Sequence, residues 1–171
     1  MRACEVKSEK GVTDKSHVLN DERVEVFLFP PNSVRYYCWE VNRACQAFEN
    51  SAMFIRQFDN TWRGNAKLEF RAYTPPSTDE KKGPSPAGSD ALSGFMLISI
   101  PWTDVGVADV TSTTKKAAQF RIGLHRAQTF PIDGSEEPGF IWTTWIDPMQ
   151  SDVNFHCPQC FGSLELDGVE S

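Results

Sequence analysis

Pro30-Pro31-Asn32-Ser33 is the tightest constraint in the sequence, because two consecutive prolines followed by Asn-Ser cannot continue a helix and form natural turn chemistry. On either side lie runs rich in β-branched and aromatic residues: Arg23-Val24-Glu25-Val26-Phe27-Leu28-Phe29 before it, and Val34-Arg35-Tyr36-Tyr37-Cys38-Trp39-Glu40-Val41-Asn42 after it. Two such runs around a turn predict a β-hairpin. Side chains alternate across a strand, so Val24, Val26 and Leu28 share one face while Glu25, Phe27 and Phe29 share the other. In the second run Tyr36, Cys38, Glu40 and Asn42 share a face, and each face mixes aromatic with hydrogen-bonding groups. Carboxylates and rings on one strand face are more than a plain core requires.

The rest of the chain carries the same signature. Lys67 to Tyr73 alternates, with Leu68, Phe70 and Ala72 inward and Lys67, Glu69 and Arg71 outward. Gly94-Phe95-Met96-Leu97-Ile98-Ser99-Ile100 is nearly all apolar and reads as a central strand. A short third strand is expected over residues 44–48, a connection over 54–61, and a helical turn over 103–107. Residues 120–126 alternate, 139–146 hold two tryptophans, and 161–166 read as a last strand. Many short strands, 11 glycines, 11 prolines and no long helical period predict an all-β fold, a two-sheet antiparallel β-sandwich of jelly-roll type. Its core is expected to hold Val24, Val26, Leu28, Leu68, Phe70, Met96, Ile98, Ile100, Ile122, Leu124 and Leu164. At 171 residues the chain is read as one domain over 18–167, with a loose lead-in over 1–17 and a tail over 168–171. Residues 74–93, rich in Pro, Gly, Ser and charge, read as a mobile insertion.

Charge and cysteine content narrow the function. A net charge of −6 argues against a nucleic-acid surface, which needs a basic stripe. No apolar run is long enough to cross a bilayer, and the first residues lack the apolar centre of a signal peptide. The five cysteines do not form a secreted disulfide framework. Cys157-Pro158-Gln159-Cys160 has metal or redox spacing, but the second pair or matching histidines of a structural zinc site are missing, so no metal is assigned. His125 has no triad partners in pattern and reads as a packed or solvated histidine. Glu25 and Glu40, on neighbouring strands, suit hydrogen bonds to hydroxyls or pairing with Arg35, Arg121 or Arg126. Spacing supplies no facing acid pair for glycoside cleavage, so the chain is read as a binding module and not an enzyme. Most of the five tryptophans are expected in the core, with one or two free to stack on a ligand.

The order of these segments resembles a family 9 carbohydrate-binding module. The likeness runs through residues 23–28, then 36–42, Trp62, Phe95 to Trp102, residues 120–126, Thr144-Trp145-Ile146-Asp147-Pro148 and residues 155–164. It implies a DOMON-like sandwich, often part of glycoside hydrolases that act in carbohydrate catabolism and often extracellular, with a polysaccharide or oligosaccharide as partner. Members begin with further strands ahead of the hairpin that residues 1–16 do not supply, which implies a truncated N-terminus and an open edge beside the hairpin. Where the family clamps sugar between two tryptophans, this chain has Leu19 and Phe155. Where it has an arginine, this chain has Glu40, while Glu25 is kept in kind. Calcium is known in the family, but no regular acidic loop is present here. The resemblance places carbohydrate at Glu25, Glu40 and Asn42, near Phe155, Trp145 and Leu19. Phe155→Ala is then expected to abolish retention while barely moving the melting transition. The competing reading is a structural or protein-interaction sandwich, or a DOMON-like cofactor-binding domain.

Overall fold

The computed structural model describes residues 18–53, 57–73, 93–107, 118–147 and 155–166. The lead-in, all of the insertion but Ser93, and the tail lie outside the described residues. The strands are β1 (Arg23–Phe29), β2 (Arg35–Asn42), β3 (Ala47–Met53), β4 (Phe58–Asp59), β5 (Lys67–Tyr73), β6 (Ser93–Ser99), β7 (Ala118–Phe130), β8 (Gly139–Thr144) and β9 (Gly162–Leu166). Short 3-10 turns at Trp102–Val105 and Pro158–Cys160 complete the elements. The protein is an all-β antiparallel sandwich. Its larger sheet runs β4-β3-β2-β1-β7-β8, and β5 pairs with β6 as the second layer. β7 is long enough to serve two partners, β9 along Ala118 to Ile122 and β8 along His125 to Phe130.

The hairpin forms where the sequence places it. Ser33 N donates to Pro30 O at 3.3 Å, and Asn32 takes the left-handed conformation (φ 59°) that a short polar side chain tolerates. The resulting register sets Glu25 opposite Glu40 and Phe27 opposite Cys38. Both hairpin strands lie inside the sheet, β1 against β7 and β2 against β3, so the open edge expected beside the hairpin is filled. The third strand begins later than expected. Cys45 adopts φ 58°, its N donates to Asn42 O at 3.0 Å, and Gln46 N donates to Asn42 Oδ1 at 2.9 Å, which makes 42–46 a turn. The strand then runs on through Glu49, Asn50 and Ser51, whose loop-like polarity is overridden by pairing with Trp39, Cys38 and Tyr37.

Between the layers, Leu28, Trp39, Val41, Val105 and Phe120 are buried, with Val24, Val26, Leu68, Met96, Ile98, Ile100, Ile122 and Leu164 packed around them. Two residues expected here are not in this cluster. Leu124 points to the same face but remains 38% exposed. Phe70 sits at the rim, its ring 5.7 Å from the Arg43 guanidinium. The outward face of β5 follows the alternation, with Arg71 Nε 2.7 Å from Glu69 Oε1 in an exposed pair. No helix among the described residues is long and apolar enough to cross a membrane.

Candidate functional site

The opposite face of the large sheet carries the polar residues, and strand register arranges them in rows. One row runs Phe48, Glu40, Glu25, His125, Thr144 from β3 to β8, and a parallel row runs Asn42, Arg23, Ala127, Trp142. This face is buried rather than solvated. The segment 155–161 lies over it: Phe155 and Phe161 join Phe27, Tyr36, Cys38 and Ala52 in a second core cluster. Gly123 makes room for that cover, since a Cβ there would stand 3.0 Å from the Phe161 ring.

The charged centre is a guanidinium between two acids. Arg23 Nε lies 2.9 Å from Glu25 Oε1 and 3.0 Å from Glu40 Oε2, and its NH1 donates to Leu19 O at 2.7 Å. The pairing expected with Arg35, Arg121 or Arg126 is therefore corrected, because those arginines are engaged or placed elsewhere. Arg35 lies 3.6 Å from Asp59 Oδ2, and Arg121 NH2 donates to Phe161 O. Arg126 lines the rim between the layers. Arg23 is itself fixed from the second row, its guanidinium 5.0 Å from the Trp142 ring centre and 5.3 Å from that of Phe140. Burial, and then the charge of Glu40, push the Glu25 carboxyl up to about 8, with Arg23 pulling the other way. Burial, and then the same carboxylates, also push the Cys38 thiol well up. Next in the row, burial and then His156 hold His125 down to about 4, and neither of its ring nitrogens has a hydrogen-bond partner among the described residues.

A cleft of about 370 Å³ opens over this centre, within the usual size of ligand sites. Leu19, Glu25, Glu40 and Phe155 line it, so four of the six residues expected at the site come together. Asn42 and Trp145 do not line it. Asn42 Nδ2 donates to Asp21 and Gln46 at the end of β2, and Trp145, 55% exposed, lies beyond β8 beside Gly162. Phe155 is 7% exposed, stacked on His125 at 3.9 Å and tilted against Trp142 at 4.7 Å. It is a core ring with one edge in the cleft, so the expectation that its truncation would leave stability untouched is corrected.

The reading from sequence missed Arg23, Asn50, Phe58, Trp142 and His156, all of which line the cleft. Arg23 was legible, two residues before Glu25 on the same strand face. Trp142 was not, because its place depends on how β8 registers with β7. Phe58 and Trp142 approach from opposite edges of the sheet, β4 and β8, and Phe58 is 47% exposed. His156 closes the end, with Nδ1 3.1 Å from Tyr36 Oη and its ring edge-on to Phe58 at 4.8 Å. A smaller cleft of about 290 Å³ lies at the rim between the layers, among Glu22, Arg43, Phe70 and Arg126. Arg43 and Arg126 are exposed there, and Glu25 and Glu40 do not line it, so it lacks the buried acid pair of the first. Among the described residues no group of three or more His, Cys, Asp or Glu side chains is arranged to hold a metal. Cys157 and Cys160 sit with their sulfurs 3.4 Å apart, within hydrogen-bond reach and not joined as a disulfide.

Fold and cleft define the class: a two-layer antiparallel β-sandwich whose larger sheet carries a buried acid pair under an aromatic-walled cleft. Among solved structures, this chain is similar to a protein from Bacteroides uniformis named a "putative carbohydrate-binding protein", with a TM-score of 0.54 and 18% identity over 96% of this chain. The chain spans 66% of that protein's length. At that identity the likeness concerns the fold. No protein-family model matches the sequence, and no curated protein does either.

Proposed function

We propose that this domain binds carbohydrate, as a non-catalytic module of the family 9 kind attached to glycoside hydrolases, and that an oligosaccharide lies in the cleft above Glu25 and Glu40. The observation that carries this reading is the lining itself: two carboxylates and the Asn50 and Asn60 amides, flanked by the Phe58 and Trp142 rings. Hydroxyl groups need fixed acceptors, and the C–H faces of a pyranose pack on aromatic rings as other apolar groups do. The sandwich shared with the Bacteroides uniformis protein, and the order of short motifs, support the same reading. Both carboxylates grip one guanidinium nitrogen, which suits holding hydroxyls better than flanking a scissile bond.

Titration calorimetry and affinity electrophoresis against soluble cello-, xylo- and chito-oligosaccharides test it. At least one sugar should bind, and Trp142→Ala should weaken that binding by about tenfold or more, a loss of at least 1.4 kcal/mol. No binding to any sugar, or unchanged binding in Trp142→Ala, overturns the proposal. The interaction-sandwich reading draws on Phe95 and Leu97, neighbours on the outer face of β6 that are exposed among the described residues. It would gain from a failed sugar screen.

A further inference from the structure

The cleft is short of positive charge. Glu25 and Glu40 face each other across the β1–β2 ladder, an arrangement that repels when both are ionised, and among the described residues Arg23 is the one arginine or lysine lining the cleft. Asn50 provides an independent sign. It is 2% exposed and lines the cleft, and its Oδ1 has no hydrogen-bond partner among the described residues, while its amide lies against its register partner Cys38. A buried carbonyl without a donor costs about 1–3 kcal/mol, so an unpartnered acceptor on a residue of the cleft wall, reached by a small turn of the Asn50 side chain, marks a place for a ligand's donor. The walls add two π faces, Phe58 and Trp142, which attract cations. Acceptors, excess carboxylate and rings together select a ligand that donates and is positively charged.

We propose that the cleft takes an amino sugar, a hexosamine unit whose free ammonium sits against Glu25 and Glu40 while its neighbouring hydroxyls donate to Asn50 Oδ1. This rests on the carbohydrate reading above and narrows it. A neutral sugar leaves the acid pair holding its extra proton. An ammonium replaces that proton: the Glu25 carboxyl ionises, its proton goes to solvent, and the ammonium becomes the second counter-charge beside Arg23. The elevated affinity of Glu25 for its proton agrees with a missing cation. The charged and titratable groups facing Glu25 are Arg23 on β1, Cys38 and Glu40 on β2, His125 on β7 and His156 above it.

The test is calorimetry of the whole chain at pH 5.5, where the free amine is charged and Glu25 still holds its proton, with a glucosamine tetramer, its fully N-acetylated counterpart and cellotetraose, each in two buffers of different ionisation enthalpy. The glucosamine tetramer should bind about tenfold tighter than the other two, the difference between a charge-assisted and a neutral hydrogen bond, and release close to one proton. Glu25→Gln should lose both the preference and the proton release. If that variant does not fold, the buffer dependence of the unaltered protein decides alone. Equal affinity for all three sugars, or no proton release, overturns the amino-sugar assignment and leaves the carbohydrate reading standing. No binding of any of the three removes both.

Discussion

The two faces of the large sheet reverse the usual relation between polarity and burial. On the face toward the second layer Val24, Val26 and Ile122 are only half-buried around a deeply buried Leu28, Trp39 and Val41, whereas on the opposite face the polar Arg23, Glu25, Tyr36 and Glu40 are all buried. The aliphatic face is held by area alone, at about 25 cal/mol per Å² and with no geometric demand. The polar face is held by specific partners, so each loss there leaves something unpaired in a low dielectric. The charged groups of that face are buried through their partners, Arg23 with Glu25 and Glu40, rather than through being apolar.

The widest gap between the faces should come from Arg23→Met. The ionised member of the acid pair would then be buried beside protonated Glu25 with no counter-charge, and urea denaturation at pH 7 should show a loss of about 3–5 kcal/mol, as when one partner of a buried pair is removed. The loss should shrink at lower pH, where protonation removes the remaining unpaired buried charge; a loss below about 1 kcal/mol at pH 7 would break the comparison, since surface pairs behave so.

Phe155→Ala comes next, at roughly 3 kcal/mol or more, because its ring lies in the outer cluster between His125 and Trp142. Unchanged thermal melting would return Phe155 to the role of a free stacking ring.

A smaller effect is a pH slope with a definite sign. Glu25 holds its proton more tightly folded than unfolded, so its contribution is complete below about 4.5 and is lost as pH rises towards about 8. His125 acts in the other direction: its folded value near 4 lies below the ordinary 6.5, so it costs stability as pH falls through that window. Between about 4.5 and 6.5 the two slopes oppose. Above 6.5 only Glu25 remains, and stability should fall with pH by up to about 1.4 kcal/mol per unit. Chemical denaturation across pH 6.5–8 measures this, and Glu25→Gln should flatten it. The smallest change belongs to the aliphatic face, where Val26→Ala should cost on the order of 1 kcal/mol, since its side chain is only half-buried.

Much of the sheet was readable residue by residue. Alternation located β1 and β5 at their observed bounds, and the Pro-Pro-Asn-Ser turn set the hairpin register that brings Glu25 to Glu40. β3 was misplaced because Glu49-Asn50-Ser51 carries no apolar period. The pairing that turns those residues into a strand comes from β2. At the site, Leu19, Glu25, Glu40 and Phe155 were placed together from motif order, but Asn42 and Trp145 lie off the cleft. Trp142 and Trp145 are three residues apart in one run, and nothing in that run tells which points over Arg23.

What the sequence determined by itself was local: which runs extend, where the chain must turn, and which side chains share a strand face, because alternation and turn chemistry act over a few residues. Only the tertiary structure decided which face became deepest and what neutralised its acids. That choice depends on 155–161 folding over β1 and β2, and on Ala127 spacing Trp142 from Arg23 so that the ring meets the guanidinium. Such contacts join residues more than a hundred positions apart, as with Arg23 and Trp142. Their energy exists only once the register of every intervening strand is set.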